Sequence, residues 1–440
     1  MNDTTTSTAI DFNPQQTILQ LQNAIEFVNT RVINRDDVVE QIFCALLTAE
    51  HALIQSRTGV GKSLMVDQVF RMFEGAGYFK VQASKEQQPD TYFGALDIDM
   101  LRKGELHHNT KGSLVESEFG FIDEIFDAND YTLRALLSLL NERELVLGVQ
   151  RLPSRIHTVV AATNYLRIND ITEALLDRFA YQSVAWPDKD CYDQYRIAGQ
   201  YLQHGGHAIN PPERISYSQL RRVCSICRGE SAEMTIDIPQ EIVYFTNLIV
   251  RYYEELRNRK IEQGSGISDR DFYISPRKQM KAFDLLRAIA FMHGRTTVQY
   301  DDVDRLFILF TTVGVEEERE TWRKASSALI HQFTATNAFE QLATLLDFKE
   351  LITHLRAHPD DIGKPLSQIE NTPVKRTMIE WARETLGFSD HTYENNRRMI
   401  TEYLAQFQPA TQEIRDLKES LQRETRILFG GGETIRRTIH

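Results

Sequence analysis

The sequence predicts an α/β protein, with a parallel-sheet αβα core followed by an all-helical lid and a further C-terminal helical region. Between residues 31 and 190, short apolar runs alternate with amphipathic helical patterns, which is typical of a parallel sheet covered by helices. A glycine-bearing turn joins the first run to a helix in "HALIQSRTGVGKSLMVDQVFRMF", His51 to Phe73. Beyond residue 239 the apolar residues recur at helical spacing. Together these three observations predict the fold class and the order of the domains.

The predicted sheet has five strands, each a short apolar run of the length expected for a buried strand. They are His51–Gln55, Phe79–Gln82, Glu118–Ile122, Thr158–Thr163 and Gln182–Ala185. Five parts of the chain follow from this pattern. They are an N-terminal extension (1–30), the αβα core (31–190), a connecting segment (191–238), a helical lid (239–315) and a C-terminal helical region (316–440). Trp322 and Trp381 are the predicted core residues of the last region.

The composition excludes several classes of protein. In 440 residues, 50 basic and 62 acidic side chains give a formal net charge of −12, which argues against a general nucleic-acid or anionic-membrane surface. No apolar run approaches the roughly 20 residues that span a bilayer, and the first residues lack the pattern of a signal peptide. Four cysteines in a chain of this length do not indicate a disulfide framework. The sequence therefore predicts a cytoplasmic protein without a membrane span.

The loop after the first strand carries residues that suit phosphate binding. Small residues let successive backbone N–H groups point at an anion, a lysine reaches the β- and γ-phosphates, and a hydroxyl ligates Mg²⁺. The helix that follows directs the positive end of its dipole at the same place. Ser56 replaces the first glycine of the pattern G-x-x-x-x-G-K-[ST], but that position lies away from the phosphate contacts, so we expect ATP to bind. The predicted nucleotide-binding residues of the loop are Gly59, Val60, Gly61, Lys62, Ser63 and Leu64.

Two carboxylates follow the third predicted strand, in "SEFGFIDEIFDAND". Asp123 and Glu124 would stand at the carboxyl end of this buried strand, on the same edge of the sheet as the loop. We predict that Asp123, together with Ser63, holds Mg²⁺ and that Glu124 is the general base for an attacking water.

An ordered series of motifs then extends the pattern: "VINRDDVVEQIFCALLTAEHALIQSRTGVGKS", "YFGALDIDMLRKGELHHNTKGSLVESEFGFIDEI", "LLNERELVLGVQRLPSRIHTVVAATN", "ITEALLDRF" and "YISPRKQMKAFDLLRAIAFMHGRTTVQYDDV". From about Val32 to Val303 this series resembles the MoxR family of AAA+ ATPases. The first motif resembles the segment that contacts the adenine, here with Ile33, and Asn34 replaces the usual glycine of its turn. The second and third resemble the helix-2 insert of the family and its pre-sensor hairpin.

The resemblance also implies roles for three further residues. Asn164 would close the fourth strand and orient the lytic water. Arg178 would be the arginine finger, which acts on the nucleotide of a neighbouring subunit. Its alternative is a surface arginine paired with Asp177 or Asp170. Arg277 would be the sensor-2 residue, a cation that the lid brings over the phosphates. In this role it would be both a catalytic and a nucleotide-binding residue. Arg270 is the other candidate for this role.

These residues together predict an ATP-hydrolysing, chaperone-like motor that remodels a protein client. The resemblance implies a homo-oligomer, most plausibly a hexameric ring, and a von Willebrand A domain protein as partner. Two alternatives stay open. A nucleic-acid-translocating motor would use the basic residues Arg102, Lys103 and Lys111 of the insert, although acidic neighbours favour a mixed-charge surface. A nucleotide-switched scaffold with little turnover would follow if Ser56 or Asn34 spoils the loop.

One further pattern allows a zinc site. His204 and His207 in "HGGH" precede Cys224 and Cys227 in "CSIC", which together could supply four ligands. The competing interpretation is an apolar helix stripe, because Leu220 and the two cysteines fall at positions i, i+4 and i+7. The sequence favours the stripe and predicts no zinc.

Overall fold

The structure is a computed structural model and describes residues 12–104, 108–147, 150–167, 169–187, 189–260, 274–310, 312–313, 318–366, 374–386 and 393–430. These residues form two compact units. The first contains the described residues up to Ile238 and those from Tyr252 to Arg323, and the second contains Pro239–Arg251 and the described residues from Lys324 onward.

The first unit is built on a five-stranded parallel sheet. Its strands are β1 (Ala52–Ser56), β3 (Tyr78–Gln82), β4 (Phe119–Asp123), β7 (Thr158–Thr163) and β8 (Tyr181–Ala185). They lie in the order β3-β4-β7-β1-β8, so β1 is flanked by strands that come much later in the chain. All six residues of β7 are buried, as expected for a strand covered on both faces. The five predicted strands are confirmed to within one residue at each end.

Two small sheets complete the strand inventory of the described residues. β2 (Phe73–Glu74) pairs in parallel with β9 (Ile215–Ser216). β5 (Glu144–Leu147) pairs antiparallel with β6 (Gln150–Pro153), where the family resemblance implies a hairpin.

Helices cover both faces of the sheet. In the first unit they are α1 (Pro14–Arg31), α2 (Asp36–Thr48), α3 (Lys62–Phe70), α4 (Asp90–Phe93), α5 (Ile98–Arg102), α6 (Asp130–Glu142), α7 (Asp170–Arg178), α8 (Cys191–His204), α9 (Tyr217–Cys227), the end of α10 (Gln240–Lys260), α11 (Pro276–Met292), α12 (Phe307–Phe310) and the start of α13 (Glu318–Ala335). The parallel sheet with its helices and the helical lid confirm the predicted fold class.

The N-terminal segment is part of the first unit from Pro14 onward. The side chain of Asn13 accepts a hydrogen bond from the backbone N–H of Gln16 and caps α1, and Pro14 occupies its first turn. Leu21 and Val28 on one face of α1 are buried, and the helix packs against α2, α3 and α11. Helix α1 is therefore part of the first unit, because an isolated helix of this length is stable mainly through packing of its apolar face.

The lid is helical, as predicted, but Trp322, which follows it in the chain, belongs to a different unit from the one expected. Trp322 was expected in the core of the C-terminal region. It is instead 1% exposed within the first unit, where its ring lies 5.2 Å from that of Tyr253 and 5.0 Å from that of Phe310. A large aromatic ring packs wherever an apolar space is available, and linear order along the chain does not reveal that space.

The second unit is a helical bundle with its own core. It contains the beginning of α10 and the end of α13, followed by α14 (Ala338–Ala357), α15 (Val374–Leu386), α16 (Tyr393–Gln406) and α17 (Gln412–Gly430). Leu345 and Phe348 of α14 and Leu421 of α17 are fully buried, and Trp381 packs edge-on against Tyr403 at 5.3 Å. Across the described residues, every helix is too short or too polar to cross a bilayer.

Candidate active site

The loop between β1 and α3 has the backbone shape that phosphate binding needs. Gly59 and Gly61 have φ angles of 83° and 85°, in the left-handed region that residues with a Cβ rarely adopt. A Cβ built on either glycine would meet no atom within 4 Å, so the space in front of the loop is open. The conformation, rather than crowding, is what requires glycine at these two positions.

Ser56 fits the loop without strain. It is fully buried at the end of β1, and its Oγ donates a hydrogen bond to the carbonyl oxygen of Arg57 at 3.2 Å. Its φ lies outside the left-handed region, so this position does not need the conformational freedom of glycine. The departure from the usual pattern therefore leaves the geometry of Gly59 and Gly61 intact.

The side chain of Lys62 lies at the centre of a polar cluster. Its Nζ is 2.8 Å from Oδ1 of Asn164, 3.1 Å from Oε1 of Glu124 and 3.4 Å from Oδ1 of Asp123. Lys62 is only 7% exposed, so these interactions are partly shielded from water. The four predicted residues from three separate motifs are therefore brought together.

The parallel sheet accounts for this convergence. β4 and β7 are neighbours, and β7 is next to β1, so the residues that end the three strands meet at one edge. Glu124 follows β4 with a φ of 53°, an uncommon conformation for a residue with a side chain. The backbone N–H of Asn164 donates to Oε2 of Glu124 at 3.1 Å, and its Nδ2 donates to Oε1. Both bonds hold the Glu124 carboxylate in one orientation. We call this edge, where β1, β4 and β7 end, the carboxyl edge.

The residues present also fit a magnesium ion. Ser63 follows Lys62 in the first turn of α3, and Asp123 ends β4 with its Oδ1 3.4 Å from the Lys62 ammonium nitrogen. A hydroxyl and a carboxylate are hard oxygen ligands, the kind that Mg²⁺ takes together with phosphate oxygens and water. The open space in front of the two loop glycines has room for those phosphates.

A cavity of about 330 Å³ adjoins the loop. One wall comes from Ile33 and from the loop itself, including Val60 and Leu64. The turn that presents Ile33 contains Asn34 with a φ of 53°, and asparagine is among the residues that tolerate this region. The replacement of the usual glycine is therefore compatible with the turn.

The opposite wall of the cavity was missed by the sequence reasoning. It is formed by Ile197 and Tyr201 of α8, by His204 at the end of that helix, and by His207. Both histidines belong to "HGGH", a spacing that by itself also suits a pair of zinc ligands. Local spacing gave no reason to connect α8 with a loop about 140 residues earlier.

The cysteines of the considered zinc site point elsewhere. Cys224 and Cys227 are buried on α9 beside Leu220, as the apolar stripe predicted. Burial raises the pKa of the Cys224 thiol to about 12, so it stays protonated and is a poor metal ligand. No group of three or more metal-binding side chains comes together in the part of the chain that the structure describes.

Arg178 and Arg277 lie at the opposite edge of the sheet, which we call the amino edge because the strands begin there. Arg178 ends α7, three residues before β8, and its Nη1 donates to Oδ2 of Asp177 at 2.8 Å. Arg277 donates to Oδ1 of Asn141 at 2.9 Å and lies 3.9 Å from the same Asp177 oxygen. Asn141 is next to Leu140, whose carbonyl oxygen is 3.0 Å from the ring of His51, the residue before β1.

Helix α11 places Arg277 beside Arg178 at the amino edge. That the lid brings this cation over bound phosphates stays a prediction. The other candidate, Arg270, lies outside the described residues. For Arg178, the alternative ion pair with Asp177 is present, and the side chain is 24% exposed.

Comparisons with known proteins agree with this geometry. Residues 19–204 match the family described as the MoxR domain in the MoxR-vWA-beta-propeller ternary systems, and residues 248–320 match a AAA lid domain. The chaperone MoxR1 of Mycobacterium tuberculosis is 25% identical over 298 residues, covering 64% of this chain and 72% of that protein. An uncharacterised protein of Methanocaldococcus jannaschii is 24% identical over 343 residues, covering 77% of this chain and 79% of that protein.

A solved structure of a candidate ATPase from Cytophaga hutchinsonii has a TM-score of 0.56 and 16% identity, covering 72% of this chain and 95% of that one, and it supports the fold alone. The two family matches follow in chain order and fall on the loop, the sheet and the lid described above. Over these residues the chain is similar to the MoxR family of AAA+ ATPases, with a MoxR domain followed by an AAA lid domain.

Proposed function

We propose that the protein is an ATP-hydrolysing ring motor that remodels a protein client. The observation that carries this proposal is the cluster at the carboxyl edge. The Lys62 ammonium nitrogen has side-chain oxygens of Asp123, Glu124 and Asn164 within 3.4 Å. This cluster lies next to an open glycine loop and a cavity large enough for part of a nucleotide.

The loop binds the triphosphate of ATP. The backbone N–H groups around Gly59 and Gly61 face the phosphates, and Lys62 exchanges its contacts with the two carboxylates for contacts with the β- and γ-phosphates. Ser63 and Asp123 hold Mg²⁺, which when bound neutralises charge on the phosphate oxygens. The adenine enters the cavity between Ile33 and α8.

Glu124 is the general base in this proposal. Its carboxylate is held by two hydrogen bonds from Asn164, so one orientation toward an attacking water is maintained through the reaction. A positioned base of this kind contributes on the order of 10²- to 10⁴-fold to the rate. Asn164 also orients the water, because its side-chain amide borders the same space.

Arg178 and Arg277 serve the nucleotide of a neighbouring subunit. Five or six residues of strand separate the two edges of the sheet, roughly 16–20 Å at the usual rise of a β-strand, which is more than an arginine side chain spans. Both arginines share the single carboxylate of Asp177, so the amino edge presents cationic charge to an incoming phosphate. Catalysis then requires an oligomer, and a closed hexamer satisfies this requirement at every interface.

The client and the partner are proposed from the comparisons. The matching family is named for systems in which a MoxR domain acts with a von Willebrand A domain protein and a β-propeller protein, and one relative is named a chaperone. We propose a von Willebrand A domain protein as partner and the second unit, from Lys324 onward, as the region that recognises it.

A mixing experiment tests the ring motor. Lys62→Ala is expected to lose ATP binding, because the ammonium contact to the phosphates is removed. Arg178→Ala is expected to bind ATP normally but to hydrolyse it on the order of 10³-fold more slowly, the loss expected for an arginine finger. Mixed rings of the two variants contain interfaces with an intact loop and an intact finger, so part of the activity returns. A mixture that forms mixed rings and stays inactive contradicts the proposal.

A further inference from the structure

The side chain of Gln182 lies between the two segments that meet at the amino edge. It is the second residue of β8 and is only 4% exposed. Its Nε2 donates to the carbonyl oxygens of Leu176 at 2.9 Å and of Phe179 at 3.2 Å. Its Oε1 accepts a hydrogen bond at 3.0 Å from the backbone N–H of Val313, which follows the lid helix α12. One buried amide therefore connects β8 with both the end of α7 and the end of the lid.

The two carbonyls that Gln182 binds lie on either side of the arginine finger. Leu176 precedes Asp177 and Arg178, and Phe179 follows them. The last carbonyls of a helix lack the usual partners, and the carbonyl of Leu176 accepts a hydrogen bond from the backbone N–H of Phe179 at 3.2 Å. Gln182 adds a second donor to this carbonyl and also binds that of Phe179, so its side chain helps to fix how the chain leaves the helix. The direction of Arg178 depends on that exit.

We propose that Gln182 is a positioning residue for the arginine finger, which holds the turn from Leu176 to Phe179 so that Arg178 is directed at a neighbour's nucleotide. This inference rests on the proposed function. Without the amide, the buried Phe179 carbonyl loses this donor and the Leu176 carbonyl keeps only the backbone N–H of Phe179, so the turn shifts to recover hydrogen bonds from water or other groups. A displacement of about 1 Å at a catalytic group costs on the order of 10²-fold in rate, so a small shift has a large effect on turnover.

Two substitutions remove the donor in different ways. Gln182→Glu keeps the shape and the acceptor but places a carboxylate against two carbonyls, and Gln182→Met keeps the volume without any polar group. We expect both variants to bind ATP within about twofold of the parent, because the Lys62 loop is unchanged, and to turn over on the order of 10- to 100-fold more slowly. Mixing either variant with Lys62→Ala is expected to restore part of the activity, since the Lys62→Ala subunit supplies a well-placed Arg178.

Gln41 provides a matched control. It is also 4% exposed, and its Nε2 also donates to two carbonyl oxygens, those of Gln182 at 2.9 Å and of Ile308 at 2.8 Å. Its side chain makes no hydrogen bond to the Leu176–Phe179 turn among the described contacts. We expect Gln41→Met to lower the thermal unfolding temperature as much as Gln182→Met does, while turnover stays within about threefold of the parent.

The outcomes separate a positioning role of Gln182 from a purely structural one. Folded Gln182→Met with turnover within about twofold of the parent overturns it. It is also overturned if mixing with Lys62→Ala fails to restore either Gln182 variant while it does restore Arg178→Ala, because the defect is then a general loss of structure. If Gln182→Glu does not fold, Gln182→Met decides. Full activity of Arg178→Ala would contradict the proposed function itself, whatever the Gln182 variants do.

Discussion

The two edges of the parallel sheet are built in different ways. At the carboxyl edge, Glu124 and Asn164 directly follow β4 and β7, and Lys62 begins α3 after the short loop that leaves β1, so the strand order and one loop bring them together. At the amino edge, Asp177 meets Arg277, which is 100 residues further along the chain, through the packing of the lid helix α11. The first edge is therefore assembled by the sheet and the second by the attachment of the lid.

The edges also differ in charge. At the carboxyl edge one ammonium faces two carboxylates within 3.4 Å, an acidic excess that suits a magnesium ion. At the amino edge two guanidinium groups share the carboxylate of Asp177, a basic excess that suits a phosphate. Each edge lacks the charge that the other supplies, which is the arrangement expected when one subunit completes the site of the next.

A large effect is expected from a change in the base proposed at the carboxyl edge. Glu124→Gln removes the base but keeps the shape of the side chain, so ATP is expected to bind normally and to be hydrolysed at least on the order of 10²-fold more slowly. Mixing this variant with Lys62→Ala is expected to restore nothing, because both defects lie in the same edge and no interface is complete. Turnover of the mixture above that of its components would place Glu124 outside the site it shares with Lys62.

A second prediction tests whether Arg277 acts on the nucleotide of a neighbouring subunit or on that of its own subunit. Arg277→Ala is expected to lower turnover about tenfold, less than Arg178→Ala, because Arg277 is 47% exposed and is also held by Asn141. If it belongs to the amino edge, mixing with Lys62→Ala restores activity. If mixed rings form and activity does not recover, Arg277 acts on the nucleotide of its own subunit.

The buried histidine before β7 predicts a difference in pH dependence. Burial, and to a smaller extent the charge of nearby Arg143, lower the pKa of His157 to about 3. Because the pKa in the unfolded chain is about 6.5, the unfolded state binds more protons between these values, and the free energy of unfolding falls by about 1.4 kcal/mol per pH unit as the pH decreases. His157→Phe is expected to flatten this dependence in urea unfolding at pH 6.5, 5.5 and 4.5.

Phenylalanine suits this position because the His157 ring already packs edge-on against Phe119 at 6.1 Å and Tyr217 at 5.7 Å. His204→Phe is the control, since His204 is an exposed histidine of the same unit. An equal flattening in both variants would show that the burial of His157 is not the cause of the pH dependence.

The smallest expected effect concerns Ser56. Ser56→Gly is expected to bind and hydrolyse ATP as the parent does, because the serine backbone is unstrained and its side chain is turned to the carbonyl of Arg57. A rise in turnover of more than tenfold, about 1.4 kcal/mol in the barrier, would indicate that the parent loop is impaired. That result would favour the nucleotide-switched scaffold over the motor.

The carboxyl edge could be predicted from the sequence because its information is local. Gly59, Lys62, Asp123 and Asn164 each stand at a fixed distance from an apolar run, and parallel strands place their carboxyl ends at one edge. The strands are predicted to within one residue, because short apolar runs that alternate with longer helical patterns are typical of a parallel sheet covered by helices.

What the tertiary structure decided depends on packing between distant segments. The sequence by itself determined the fold class, the five strands and the residues that meet around Lys62. It did not determine that α8 closes the nucleotide cavity, that α1 and Trp322 belong to the first unit, or that Arg277 lies beside Asp177. Helical periodicity shows which face of a helix is buried but not which partner buries it, and the lid makes its contacts across more than 100 residues of chain.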